Sequence, residues 1–166
     1  QNWLMCDVTQ PGRLKYLKHA VKMGGDVNRI KTGISQSYSA PLMCAISYGN
    51  KAAFDFLLAN GANPNIVVCR SCEPKYRRSP MSEALFSDEY KMAFELIPVT
   101  NVTEEELEVA RLVLEDSRYW PKPEESQEEY RQKIAAYLES KGYELNIWSL
   151  EKENAGEWFP TYLRQK

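Results

Sequence analysis

Two cysteines, Cys69 and Cys72, form the one pair in the chain whose spacing suits chemistry. A Cys-x-x-Cys pair can close a local disulfide, supply half of a zinc site or act as a redox couple. The second pair of ligands that a zinc site needs is missing at any familiar spacing. We therefore expect a local disulfide if the compartment is oxidising, and reduced thiols otherwise. Metal or redox chemistry is the less favoured alternative.

Few other residues offer catalytic chemistry. Cys6 and Cys44 fall in predicted helices, where cysteine is usually a small buried apolar residue. His19 is the only histidine, so only one residue could serve as the base of a Ser-His-Asp or Cys-His catalytic arrangement. The sequence also contains no glycine-rich phosphate loop and no His-Glu-x-x-His motif. It therefore predicts a protein without catalytic activity, cofactor or metal.

A basic and aromatic cluster surrounds and follows the cysteine pair. Its members are Arg70, Lys75, Tyr76, Arg77 and Arg78. Exposed arginine and tyrosine are enriched among the residues that anchor protein interfaces. The cluster is thus a candidate binding site for acidic groups of another protein, and its alternative interpretation is a solvated charged segment. One basic segment on a net acidic chain is weak support for nucleic-acid binding.

The composition is that of a single globular domain. The chain has 166 residues, of which 43% are hydrophobic and 27% are charged. No run of about 18 apolar residues is present, so the sequence predicts no membrane span. The net charge of -2 conceals an asymmetry, because residues 1–102 carry +4 and residues 103–166 carry -6. This asymmetry favours a polar partner surface, although solvated faces give the same pattern.

The elements that position these residues are clearest over residues 40–66. Pro41 suits the first position of a helix, and Gly49 and Asn50 suit a turn after it. Gly61 suits the end of a second helix. Apolar residues recur at helical spacing on one face of each helix, namely Leu42, Ala45 and Ile46, then Ala53, Phe54, Leu57 and Leu58. Two such short helices cannot bury both faces alone, so the unit needs stacked neighbours.

This helix-turn-helix unit resembles an ankyrin repeat. The usual pattern of that family is Thr-Pro-Leu-His-x-Ala, a glycine turn, an apolar second helix and then Gly-Ala-Asp-x-Asn. Ala40 stands in place of the threonine and Met43 in place of the histidine, so the hydrogen bonds of those two side chains are missing. Most of the remaining pattern is present between Pro41 and Asn65.

Weaker copies of the unit occupy the rest of the chain. The first copy covers residues 3–30, and the third covers 77–101, with Asp88 in the place of the turn glycine. A fourth copy opens with a capping box from Thr103 to Glu106. A long loop at 117–126 interrupts it, and its second helix resumes at about Glu128. Aromatic residues in 148–166 predict a C-terminal cap over the end of the stack.

The resemblance implies an all-α solenoid of about four helix-turn-helix repeats, 3–30, 38–66, 77–101 and 103–147, with β-hairpin fingers. It also implies protein binding without catalysis. Within the ankyrin pattern, Lys75, Tyr76 and Arg78 match variable finger positions that contact partners. Tyr48 and Phe86 match, or lie beside, the variable end of the first helix on the concave face. Residues 101–103 formally match a glycosylation sequon, but we expect this segment to cap the next helix and not to carry a glycan.

Short and divergent ankyrin proteins of this kind resemble bacterial ones, some of which neutralise a toxin or phospholipase effector of a secretion system. The resemblance therefore favours a periplasmic or exported immunity protein, with a cytoplasmic location as the alternative. Because the chain starts at Gln1 and not at Met, we expect a processed or shortened N-terminus. The competing interpretation is a secreted effector or adaptor that binds a host protein. An enzyme-accessory subunit and a zinc-dependent nucleic-acid binder are less favoured.

Overall fold

The computed structural model describes residues 4–30, 39–69, 77–116 and 125–145. These segments contain eight α-helices, one pair of two-residue strands and a short 3-10 turn. In chain order the elements are α1 (Leu4–Asp7), α2 (Leu14–Lys22), α3 (Pro41–Ser47), α4 (Lys51–Ala59), β1 (Val68–Cys69), β2 (Arg77–Arg78), α5 (Pro80–Phe86), α6 (Tyr90–Leu96), the 3-10 turn Ile97–Val99, α7 (Glu104–Asp116) and α8 (Glu125–Ser140). The predicted cap at 148–166 lies outside the described residues.

The helices pack as successive pairs. Helix α3 contacts α4, α5 contacts α6, and α7 contacts α8. The first helices of the pairs also contact one another in chain order, from α1 to α3, α5 and α7. On the other side, α2 contacts α4 and α6 contacts α8. The chain is therefore mostly helical, and each pair is held by the pairs before and after it.

Local sequence signals define where the helices begin. Helix α3 starts at Pro41, which has no backbone N–H to leave unpaired, after the extended residue Ala40. Helix α5 starts at Pro80 and is capped by Ser79, whose hydroxyl accepts a hydrogen bond from the Ser82 N–H while the Ser82 hydroxyl oxygen accepts one from the Ser79 N–H. The predicted capping box before α7 is confirmed, because the Thr103 N–H donates to the Glu106 carboxylate.

The turns inside two of the pairs have the same backbone conformation. Gly49 has φ 60° and Asp88, which lies 39 positions later, has φ 56°. The next residue closes the turn in both cases, since the Asn50 N–H donates to Ala45 O and the Glu89 N–H donates to Ala84 O, each at 2.9 Å. Asp88 is thus a non-glycine residue in the left-handed region, which confirms its alignment with the turn glycine.

One apolar core runs through all the pairs. The predicted stripes are buried in it, with Leu58 partly buried at its edge. Leu57 of α4 and its aligned residue Leu96 of α6 are both fully buried. The other large core side chains include Leu17, Leu42, Ile46, Phe54, Leu85, Leu114, Ile134 and Leu138. Because α3 and α5 have only seven residues each, most of their stabilisation comes from this burial.

Asparagine side chains connect the loops that follow the pairs. The Asn28 amide nitrogen donates to Gly61 O at 2.9 Å, and the Asn63 N–H donates to Asn28 Oδ1 at 2.6 Å. One unit later, the Asn101 N–H donates to Asn65 Oδ1 at 2.8 Å. These bonds explain why the unit ends in Asp-x-Asn or Asn-x-Asn: its last asparagine pairs with the backbone of the following loop.

The structure corrects the prediction for Cys6 and Cys44. Both side chains are buried as expected, but they form a disulfide, with a Cα–Cα distance of 5.4 Å. Helix α1 packs against α3, and this contact brings the two sulfur atoms together. The expectation of two small apolar residues was wrong because the pairing depends on how the first two units dock, which no local pattern contains.

A second correction concerns α8, which begins at Glu125, before the predicted start near Glu128. The strands β1 and β2 are antiparallel, with Val68 opposite Arg78 and Cys69 opposite Arg77. The segment that joins them lies outside the described residues. A complete hairpin finger therefore stays a prediction.

Replacing Leu57 by alanine should remove a fully buried side chain from the core. We expect the free energy of unfolding to fall by about 3 kcal/mol, through lost burial and the cavity that remains. Urea unfolding followed by far-UV circular dichroism measures this change. The control is Leu112→Ala in α7, a 44% exposed leucine, which should change stability by less than about 0.5 kcal/mol. Equal effects of the two variants would contradict the described core.

Replacing Asn28 by alanine should weaken the link between the first two units. Two hydrogen bonds to the next loop are lost, so we expect a destabilisation of about 1–2 kcal/mol. The matched control is Asn60→Ala, because the described hydrogen bond of the Asn60 side chain stays within its own helix, to Phe56 O. If Asn60→Ala lowers the free energy of unfolding by urea as much as Asn28→Ala does, the hydrogen bonds between units do not contribute the expected stability.

The Cys6–Cys44 disulfide joins residues 38 positions apart. The entropy of closing such a loop corresponds to about 4 kcal/mol, so a thiol reductant should lower the melting temperature by on the order of 10 °C. Calorimetry with and without reductant measures this shift. The variant Cys6→Ala/Cys44→Ala should melt early and respond little to reductant, whereas Cys69→Ala/Cys72→Ala should respond like the parent chain. If Cys69→Ala/Cys72→Ala abolishes the response to reductant and Cys6→Ala/Cys44→Ala does not, the Cys6–Cys44 disulfide is wrong.

Candidate functional site

The structure describes the side chains of three of the predicted binding residues. Tyr48 lies at the C-terminal end of α3, Phe86 is the last residue of α5, and Arg78 belongs to β2. For Arg77 and Cys69 the structure describes only the position of the backbone in the strand pair. The remaining predicted residues lie outside the described segments, namely Arg70, Cys72, Lys75 and Tyr76. The partner-binding and disulfide predictions for them stay predictions.

Arg78 is held between a carboxylate and an aromatic ring. Its Nη1 atom lies 3.0 Å from Glu83 Oε2, and its guanidinium carbon lies 5.4 Å from the centre of the Phe86 ring. Strand pairing with Val68 fixes the backbone of Arg78, and α5 presents Glu83 and Phe86 on adjacent turns. We call these three residues the Arg78–Glu83–Phe86 cluster. Phe86 is 55% exposed, so the cluster presents a flat apolar ring beside an oriented cation.

Glu83 also connects this cluster to the preceding unit. The Ser47 hydroxyl donates a hydrogen bond to Glu83 Oε1, and Ser47 precedes Tyr48 in the chain. Tyr48 is 42% exposed, and its hydroxyl accepts a hydrogen bond from the Gln10 amide at 3.5 Å. A continuous set of contacts therefore runs from the turn between α1 and α2, through the end of α3, to the end of α5.

Sequence reasoning missed Glu83 and Ser47, which are the residues that join the site. Glu83 aligns with Cys44 of the preceding unit, so no recurring pattern marked it. The one signal was its charge, because Glu83 is the acidic residue closest in sequence after Arg77 and Arg78. This signal indicates an ion pair but not the hydrogen bond to the neighbouring helix.

A groove of about 490 Å³ lies where the turns of two pairs meet the start of α8. Its lining residues are Gly49, Lys51, Ser87, Asp88, Glu89, Lys91, Met92 and Gln127. Partial burial lowers the pKa of Lys51, but hydrogen bonds to Asp55 and Glu95 outweigh it, so the pKa lies above the ordinary value for lysine. The groove mixes both signs of charge, and Gln127 and Lys51 are engaged by neighbouring side chains or backbone.

The last two helices are covered by ion pairs. Arg111 bridges Glu108 and Glu115, and Lys133 pairs with Glu129. The hydrogen bond from Arg111 lowers the pKa of Glu108, and the one from Lys133 lowers the pKa of Glu129. The acidic part of the chain thus compensates many of its own charges. Within the described segments, no group of three or more His, Cys, Asp or Glu side chains could hold a metal ion.

The comparison with protein families identifies the unit. Residues 39–68, which include α3, α4 and β1, match the family model described as ankyrin repeat. No curated protein sequence gives a significant match to the chain. The chain therefore contains an ankyrin repeat at residues 39–68, as the sequence pattern indicated for this unit. Repeats of this family are typically non-catalytic modules of protein interaction. Among the described helices, none combines the length and apolar composition that a bilayer crossing requires.

Proposed function

We propose that this chain is a non-catalytic protein-binding module built as a solenoid of about four ankyrin repeats, 3–30, 38–66, 77–101 and 103–147. The stepwise contacts of the helix pairs support the solenoid arrangement. The antiparallel strands β1 and β2 support a hairpin finger between the second and third repeats. In this proposal the segment that joins the strands carries Arg70, Lys75 and Tyr76 toward the partner.

The Arg78–Glu83–Phe86 cluster is the observation that carries the proposal. An exposed phenylalanine costs solvation free energy in a monomer, and here it stands beside an arginine that Glu83 keeps in place. Aromatic and arginine side chains are enriched among the residues that dominate binding free energy. With Tyr48 one repeat away, the surface fits a partner that supplies an acidic group to Arg78 and an apolar group to the two rings.

The partner that we favour is a toxin or effector enzyme, so that the chain serves as an immunity protein in the periplasm or another exported location. The Cys6–Cys44 disulfide supports such a location, because stable disulfides form mainly in oxidising compartments. The same disulfide holds the first repeat on the second and so keeps Gln10 near Tyr48. The alternative is a secreted effector or adaptor that binds a host protein, which the disulfide supports equally.

The experiment has two stages. Affinity capture from the source cell identifies a stoichiometric partner, and calorimetric titration with that purified partner measures Kd. We expect Tyr48→Ala/Phe86→Ala to raise Kd by at least about 100-fold, because two anchoring rings are lost. The matched control is Val99→Ala/Leu112→Ala, which truncates two other exposed apolar side chains and should leave Kd within about threefold.

The variant Tyr76→Ala/Arg77→Ala/Arg78→Ala tests the contribution of the finger in the same titration. If the double ring variant binds as tightly as its control, the proposed surface is wrong. Loss of the partner's enzymatic activity at one-to-one stoichiometry supports the immunity role. A host protein as the captured partner supports the effector role in its place.

A further inference from the structure

The exposed face of α2 carries only basic charge. Leu17 is fully buried, and Leu14, Ala20 and Val21 pack against the core. The opposite face presents Lys15, Lys18 and Lys22, which are all exposed. Because these lysines are three and four residues apart, they form one row along the helix. The row extends over about 10 Å, which is the rise of seven helical residues.

The lysine row has no carboxylate partner within the described segments. Lys15 lies over the ring of its neighbour Tyr16 at 4.9 Å, and Lys18 lies 5.9 Å from the ring of Phe56. Five other cations of those segments form ion pairs, namely Lys51, Arg78, Arg111, Arg131 and Lys133. In the described chain, the three lysines of α2 are therefore not held in ion pairs and stay available to an external anion.

An apolar ridge lies beside the lysine row. Tyr16 and Met23 are 54% and 73% exposed, and their separation by seven residues places them on the same side, about two turns apart. A tyrosine has an apolar ring and a polar tip, which suits the boundary between headgroups and acyl chains. A lysine row beside such a ridge combines the two features by which helices bind anionic membranes, basic side chains and exposed apolar side chains.

We propose that α2 docks on an anionic phospholipid surface. Lys15, Lys18 and Lys22 face the headgroup phosphates, while Tyr16 and Met23 enter the interfacial layer. A lipid surface is favoured over an acidic protein because lysine is depleted at protein interfaces and lacks the planar fork that fixes a carboxylate. Helices α7 and α8 carry ten Asp and Glu residues against three Arg and Lys residues, so such a surface repels these two helices. This site is separate from the Arg78–Glu83–Phe86 cluster.

The test is sedimentation of the full chain with vesicles at low ionic strength. We expect binding to phosphatidylcholine vesicles that contain about 30 mol % phosphatidylglycerol, loss of that binding at high salt, and none to pure phosphatidylcholine. Each lysine near an anionic bilayer contributes roughly fivefold to partitioning. The variant Lys15→Gln/Lys18→Gln/Lys22→Gln should therefore partition about 100-fold more weakly. Its circular dichroism and melting temperature should match those of the parent chain.

The matched control is Lys91→Gln/Lys133→Gln/Lys141→Gln, which removes the same charge on or beside α6 and α8 and should retain binding. Tyr16→Ser/Met23→Ser should bind more weakly and keep its salt dependence. The proposal fails if the parent chain does not bind, if both lysine variants lose binding equally, or if poly-L-glutamate competes as an equally tight ligand. Tyr48→Ala/Phe86→Ala should bind vesicles normally, so this result is independent of the protein-binding proposal.

Discussion

Burial of apolar helix faces between neighbouring pairs is the interaction on which the rest of this structure depends. Helices α3 and α5 have seven residues each, well below the length at which an isolated helix is stable in water. Side chains such as Ile46 and Leu85 are fully buried because the helices before and after them complete their surroundings. The positions of Tyr48 and Phe86 follow from this packing, since both residues lie where a buried helix ends and its next turn reaches solvent.

The backbone of the loops imposes the second constraint. Gly49 and Asp88 adopt the same left-handed conformation, and Asn28 and Asn65 each pair with the backbone of the following loop. An L-residue with a Cβ pays a conformational cost in that region, and Asp88 offsets part of it by accepting a hydrogen bond from the Tyr90 hydroxyl. The unit can therefore diverge in sequence while its turn and its link to the next loop keep their geometry.

Local and repeated features were predictable from the sequence. The stripe of Leu42, Ala45 and Ile46, the capping box at Thr103 and the turn at Asp88 each depend on residues within one unit. The Cys6–Cys44 disulfide and the hydrogen bond from Ser47 to Glu83 were missed for a common reason. Each joins residues of two units, so it depends on the distance and rotation between neighbouring helices. Hydrophobic periodicity indicates which face of a helix is buried but does not encode those two quantities.

The two charged surfaces of the chain differ in a way that bears on recognition. Arg78 has a carboxylate partner, which reduces its long-range attraction but holds the guanidinium beside the Phe86 ring. In the proposed function such a cation would recognise a partner by geometry, since the ion pair and the ring already restrict its side chain. The lysines of α2 have flexible stems and no such partner in the described chain, so they attract anions at long range without fixing an orientation. A charge held in one orientation favours specific binding. Unpaired charges raise the association rate and make that rate depend on salt concentration. The separation of these properties on two surfaces would allow the chain to be held at a charged boundary by one surface while the other selects its protein partner.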